Sequence, residues 1–134
     1  MLEAFSTPRN RYRSLLFFLI CVVLAFAAAT VGISDNPPGI ALAFLSVVAL
    51  VLAFVHPWRS SKKFRRLIYA ALSGMVLAVI LHNLFEGLAG KVAGPGLVQR
   101  LLGGAGVAFF FIALICPIAL LVGLVGAVIV SRRT

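Results

Sequence analysis

Four apolar runs, each close to the length of a bilayer crossing, leave this chain few folds to choose from. The first is Leu15 to Ile33, "LLFFLICVVLAFAAATVGI". With the other three, the expected helices cover about 15–33, 37–56, 67–86 and 107–130. A helix rising about 1.5 Å per residue needs roughly 20 residues to cross about 30 Å of hydrocarbon. In lipid only helices and closed barrels satisfy their own backbone, and these runs lack the alternation of barrel strands. The expected fold is therefore all-α: an integral membrane protein in which four transmembrane helices form two hairpins in a single domain, 1–134.

Composition supports a lipid solvent. Of the 134 residues, 63% are hydrophobic and 11% charged, with a mean hydropathy of +1.16. Soluble domains carry about 25% charged residues. A net charge of +9 in a soluble protein would suggest nucleic acid. Here the basic residues sit in short clusters between apolar runs, so they read as topology signals and no nucleic-acid partner is expected.

Lysine and arginine also set the threading. Arg9, Arg11 and Arg13 precede the first run, Arg59, Lys62, Lys63, Arg65 and Arg66 fill the central link, and Arg132 and Arg133 follow the fourth run. The other two links hold Lys91 and Arg100. Positive charge stays on the cytoplasmic side, so both termini and the central link are expected there. A prokaryotic plasma membrane is the expected location. "RNRYRS" with Ala25, Ala27 and Ala29 resembles a cleaved signal peptide, but the apolar run exceeds the usual 7–15 residues. A retained helix is expected.

The links are punctuated. "SDNPPG" (34–39) supplies a tight outer turn in which Asp35 or Asn36 can cap the second helix, with proline in its first turn. "HPWRSS" (56–61) closes that helix, with Trp58 suited to an aromatic belt. Pro117 should kink the fourth helix and free a carbonyl near Ala113. "RYRSLL" (11–16) faintly echoes "KFRRLI" (63–68), as two parallel hairpin repeats would, although any inner helix start has this look. The second outer link, 87–106, reads as an extended loop in which "PGLVQRLL" (95–102) can form a short amphipathic helix.

Small residues suggest how the helices meet. Ala70, Gly74 and Ala78 are spaced by four, continuing to His82 and Glu86. Ala119, Gly123 and Ala127 form a partner pattern on the fourth helix. Small-xxx-small stripes let membrane helices approach closely.

The chemistry-bearing residues cluster in "LHNLFEG" (81–87). His82, Asn83 and Glu86 form a candidate protonation or ligand site. An ionisable residue at membrane depth is a functional candidate by default, and His82 lies about 22 Å up the helix from Leu67. Three roles fit. A structural role has His82 bonded to Glu86 or a neighbouring helix, with Glu86 meeting Lys91 or Arg100. The pair can instead form a protonation or cation site. Alternatively, His82 can ligate a metal or haem with Glu86 assisting. The other histidine, His56, is at the opposite end of its helix, so one protomer cannot clamp a haem between the two. No resident cofactor is assigned, and any metal is unknown.

Catalysis lacks its parts. The acidic residues are Glu3, Asp35 and Glu86, without the paired carboxylates or nucleophile–base arrangements that hydrolysis needs. Phosphate-cradling glycines and HExxH are absent. Cys21 and Cys116 fall inside apolar runs without CxxC spacing and read as small core residues. An enzyme is not expected.

Arg59, Lys62, Lys63, Arg65 and Arg66 double as candidate contacts to anionic lipids at the cytoplasmic face, at about 1 kcal/mol each. The functional expectation is an accessory or scaffolding subunit that acts by helix packing in a homo-oligomer or larger membrane complex. A minimal dimeric transporter or channel using Glu86 and His82 is the alternative, followed by a haem- or metal-binding subunit.

Overall fold

The computed structural model describes residues 2–33, 36–92 and 96–132. A 3-10 turn over Leu2–Phe5 leads into four helices: α1 (Pro8–Val31), α2 (Pro37–Val55), α3 (Ser61–Lys91) and α4 (Leu97–Ser131). Each is long and apolar enough to cross a membrane. The described residues form an all-helical chain with the four helices the apolar runs imply.

Helix ends depart from the hydropathy boundaries, for a physical reason. α1 starts where Thr7 Oγ1 accepts the Asn10 N–H at 3.2 Å, with Pro8 in the first turn, well before Leu15. α3 starts at Ser61 rather than Leu67, so Lys62, Lys63, Arg65 and Arg66 are helical. Lysine and arginine are good helix formers, and backbone hydrogen bonding does not end where apolar side chains do.

The extended loop expected over 87–106 is corrected most. α3 continues to Lys91 and α4 begins at Leu97, leaving a short link whose Ala93, Gly94 and Pro95 lie outside the described residues. "LVQRLL" opens α4 and is not a separate interfacial helix. The glycines at 87, 90, 103, 104 and 106 suggested a loop, yet all are helical. Gly106 packs against Glu86, whereas a Cβ at 87, 90, 103 or 104 would meet nothing within 4 Å. Backbone hydrogen bonding rather than packing therefore offsets glycine's poor propensity there. Pro117 lies inside α4.

The chain divides into two compact units, Met1–Arg65 with Leu121–Thr134, and Arg66–Leu120. In the first, α1 and α2 form an antiparallel hairpin. Its turn depends on two glycines. Gly32 has φ +88° and donates its N–H to the Ala28 carbonyl at 3.0 Å. Gly39 faces it so closely that any Cβ would overlap the Gly32 carbonyl. Asn36 sits at the cap position of α2 without capping it; its Nδ2 donates to the Val31 carbonyl at 2.8 Å, closing the end of α1 instead. Asp35, the other candidate cap, is outside the described residues, as is Arg133.

At the hairpin's other end Ala4, Ser14 and Ala53 are fully buried. Ser14 Oγ lies 2.8 Å from the Ala53 carbonyl oxygen and 3.1 Å from that of Ala4. Its single proton therefore ties α1 to α2 and to the N-terminal turn. Phe54 packs edge-on against both Phe5 and Phe18. Phe64 is sandwiched between Trp58, at 5.5 Å, and Gly126, where a Cβ would strike its ring.

One periodicity governs the protected faces. In α1 it runs through Ser14, Phe17, Cys21, Leu24 and Ala28, and in α2 through Gly39, Leu42, Ser46, Ala49 and Ala53. In the second unit it runs through Ala71, Gly74, Ala78, Leu81 and Phe85 of α3, and through Leu102, Gly106, Phe109, Ala113 and Cys116 of α4. Spacings of three and four alternate, a mean of about 3.5 that marks left-handed helix packing. The stripe of fours read from Ala70 to Glu86 drifts instead. Four residues turn a helix through about 40° more than one full circle, so Ala70 and Glu86 are exposed while Gly74 and His82 are partly covered and Ala78 is buried. On α4, Ala119 and Gly123 are buried and Ala127 half-buried.

The opposite faces are aliphatic and open. On α1, Leu15, Leu19, Val22 and Phe26 are all exposed, Phe26 at 72%, an apolar surface far beyond what water-exposed proteins tolerate. We expect Gly39→Ala to lower hairpin stability by about 3 kcal/mol, the upper end of overpacking, because the colliding atom is backbone and cannot rotate away. Gly87→Ala meets nothing within 4 Å and should leave the thermal unfolding midpoint in detergent unchanged or raised. Equal midpoints for the two variants would contradict the close turn.

Candidate functional site

Polar chemistry gathers at two places, one in each unit. In the second unit α3 presents His82 to the first turns of α4. His82 Nδ1 lies 2.9 Å from the Gly106 carbonyl oxygen. A carbonyl cannot donate, so Nδ1 carries the hydrogen and the tautomer follows from the fold. Gly106 allows this approach: a Cβ there would sit 3.1 Å from Glu86 Cγ. Phe110 flanks the imidazole with ring centroids 5.4 Å apart, and Phe85 stacks on Phe109 at 5.6 Å with rings nearly parallel.

The imidazole's other nitrogen, Nε2, faces Glu86 Oε2 at 3.8 Å. That is too long for a direct hydrogen bond. With a neutral ring, a lone pair faces the carboxylate; a proton on either group turns repulsion into attraction. The His82 side chain is 23% exposed and that of Glu86 58%, so the histidine is held while the carboxylate reaches outward.

Not all the sequence candidates converge here. Asn83 is exposed and donates to the Val79 carbonyl one turn back at 2.8 Å, on its own helix and away from the imidazole. Lys91 and Arg100 form no ion pair with Glu86 among the described residues. No group of three or more His, Cys, Asp or Glu side chains placed to hold a metal occurs among the described residues. Gly74 lets Cys116 Sγ approach to 3.4 Å of where its Cβ would be, which is ordinary packing.

Sequence reasoning missed the second place. In the first unit an open groove of about 370 Å³ is lined by Glu3, Ser6, Asn10, Pro57, Arg59, Ser60 and Lys63. Glu3 forms an ion pair with Lys63. Its carbonyl accepts hydrogen bonds from Ser6 Oγ at 2.9 Å and Asn10 Nδ2 at 3.0 Å, and Arg11 Nε donates to the Phe5 carbonyl at 2.7 Å. The N-terminal turn is thereby folded back onto α1 and the start of α3. Of the five basic residues singled out around this link, Arg59 and Lys63 line the groove, whereas Lys62, Arg65 and Arg66 are exposed outside it. One signal was readable: "TPRN" (7–10) is a helix start with a side-chain cap, which brings residues 3 to 6 against α1.

His82→Ala should destabilise the protein by about 1–3 kcal/mol, since it removes the donor to Gly106 and opens space beside Phe110. His82→Asn can place an amide N–H near the Nδ1 position and should recover part of that loss. Thermal unfolding in one detergent compares the two, and equal midpoints would show that the Gly106 contact carries little. Compared with protein-family models, curated proteins and solved structures, the chain matches none, so its function rests on these geometries.

Proposed function

We propose that the chain is a small multi-pass membrane protein, with both termini and the α2–α3 link on the cytoplasmic side, that serves as an accessory or scaffolding subunit of a membrane assembly. The observation that carries this reading is how the polar side chains of the apolar helices are used. Ser14 reaches the Ala4 and Ala53 carbonyls, Ser46 reaches Ala43, Ser73 reaches Tyr69, Asn83 reaches Val79 and His82 reaches Gly106. These donors serve the chain's own backbone. What faces outward is aliphatic surface, suited to lipid and to other helices through dispersion and small-residue packing. The basic residues around α2–α3 suit an anionic inner leaflet.

A second reading is favoured by one contact, the 3.8 Å separation of His82 Nε2 from Glu86 Oε2. Two titratable groups this close can pass a proton between them through one bridging water, as a small dimeric proton-coupled transporter would require.

The two readings separate experimentally. A scaffold should migrate on native gels of mildly solubilised membranes in an assembly well above its 14.2 kDa, and Val76→Trp or Ile80→Trp, on the exposed face of α3, should shrink that assembly without lowering the thermal midpoint. A transporter should instead acidify proteoliposomes in a manner abolished by Glu86→Gln while assembly is retained. Monomeric migration combined with Glu86-dependent flux would sink the scaffolding reading.

A further inference from the structure

The open groove of the first unit brings two of the basic residues of the α2–α3 link together with Glu3, Ser6, Asn10 and Ser60, a grouping that topology alone does not require. We propose that it binds a phosphate group, carried either by an anionic phospholipid headgroup or by a soluble phosphate. Its volume of about 370 Å³ falls at the lower end of ligand cavities, about 300–1,000 Å³, a size for a headgroup rather than a large organic molecule.

The case rests on Arg59. Arg59 lines the groove and makes no hydrogen bond or ion pair with any described residue, although a guanidinium offers five donors in a fork that matches phosphate oxygens two at a time. Beside it, the Ser60 hydroxyl likewise has no described partner. Lys63, the second cation, is engaged by Glu3. With two cations and one carboxylate, the lining carries a net charge of +1. α3 begins at Ser61; the Lys63 N–H is taken by the Ser60 carbonyl at 3.1 Å, and the helix start as a whole adds a partial positive charge beside the groove.

Glu3 gives the site a second property. Its carboxylate occupies the Lys63 ammonium that an incoming phosphate would otherwise use, so the N-terminal turn competes with the ligand. Phosphate binding should loosen the Glu3–Lys63 pair, and removing the Glu3 charge should tighten binding. The lipid form of this inference deepens the proposed function and rests on the α2–α3 link lying at the inner leaflet. The soluble form does not.

The test uses the full chain. Native mass spectrometry of delipidated protein counts adducts of added dioleoylphosphatidylglycerol against dioleoylphosphatidylcholine, and calorimetry titrates inorganic phosphate into phosphatidylcholine nanodiscs. Arg59→Ala should weaken the binding found by about tenfold or more, the loss of a two-point charge-assisted contact. Arg59→Lys should be intermediate, and Glu3→Gln should strengthen binding. Lys62→Ala and Arg65→Ala remove the same charge outside the groove and should each weaken binding by no more than about fivefold, the size of a general leaflet attraction, less than Arg59→Ala. Arg59 is exposed, so its variants should keep the parental thermal midpoint. Selective phosphatidylglycerol adducts with this ranking identify a headgroup site; saturable inorganic phosphate binding with the same ranking identifies a soluble ligand. Equal losses at Arg59, Lys62 and Arg65, or no saturable binding of either probe, overturn the proposal. A chain that failed to partition into membranes would sink the proposed membrane placement, while inorganic phosphate titrated into the delipidated protein in detergent would still test the site.

Discussion

Close backbone approach through small side chains is the constraint on which the described architecture depends. Along each helix the protected positions alternate spacings of three and four, and in α2 four of the five, Gly39, Ser46, Ala49 and Ala53, are small, with Leu42 the exception. In the lipid surroundings proposed for these helices there is no hydrophobic reward for pressing one aliphatic surface on another, and contact would come from dispersion at short range and from hydrogen bonds. Small residues permit that range. Gly39 against the Gly32 carbonyl and Gly126 against the Phe64 ring are its tightest expressions, where one added methyl would overlap existing atoms.

The same economy explains the polar side chains. A hydroxyl or imidazole placed among apolar neighbours costs free energy unless it finds a partner. Ser14 finds the Ala53 and Ala4 carbonyls and His82 finds that of Gly106. In both cases the acceptor belongs to a different helix or turn, so the bond sets the register of two elements as well as satisfying its donor. Ser73 and Asn83 bond within their own helix and do no such work. Polar residues that look equivalent in the sequence thus divide into those that position helices and those that are merely quiet.

Charge is arranged on a different principle. The N-terminal turn is drawn onto α1 and the start of α3 by Glu3, whose side chain meets Lys63 while its carbonyl receives Ser6 and Asn10. One acidic residue in a basic neighbourhood organises the polar end of this unit and leaves Arg59 uncommitted. Neighbouring cations therefore have unequal roles, with Lys63 bound within the fold, Lys62 open to its surroundings and Arg59 lining a groove.

The sequence by itself determined that there would be four helices long and apolar enough to cross a membrane, because run length and apolar content suffice for that. It also pointed to His82 and Glu86 as the pair to examine, since ionisable side chains are scarce in the apolar runs. What it misjudged were extents and faces. The segments 61–66, 87–91 and 97–106 are helical, the first because its polar, basic residues are good helix formers that only their lack of apolar character hid, the other two because continuous backbone hydrogen bonding outweighs a glycine propensity cost of about 1 kcal/mol. The spacing of four from Ala70 to Glu86 looked like a single face, but a helix of 3.6 residues per turn rotates that row away, and a partner helix follows the mean of 3.5 instead. Only the tertiary structure could decide which carbonyl receives the His82 proton, that Asn83 turns elsewhere, and that Glu3, some sixty positions from Lys63, meets it beside a groove. Those depend on distances between segments far apart in the chain, which no local pattern encodes.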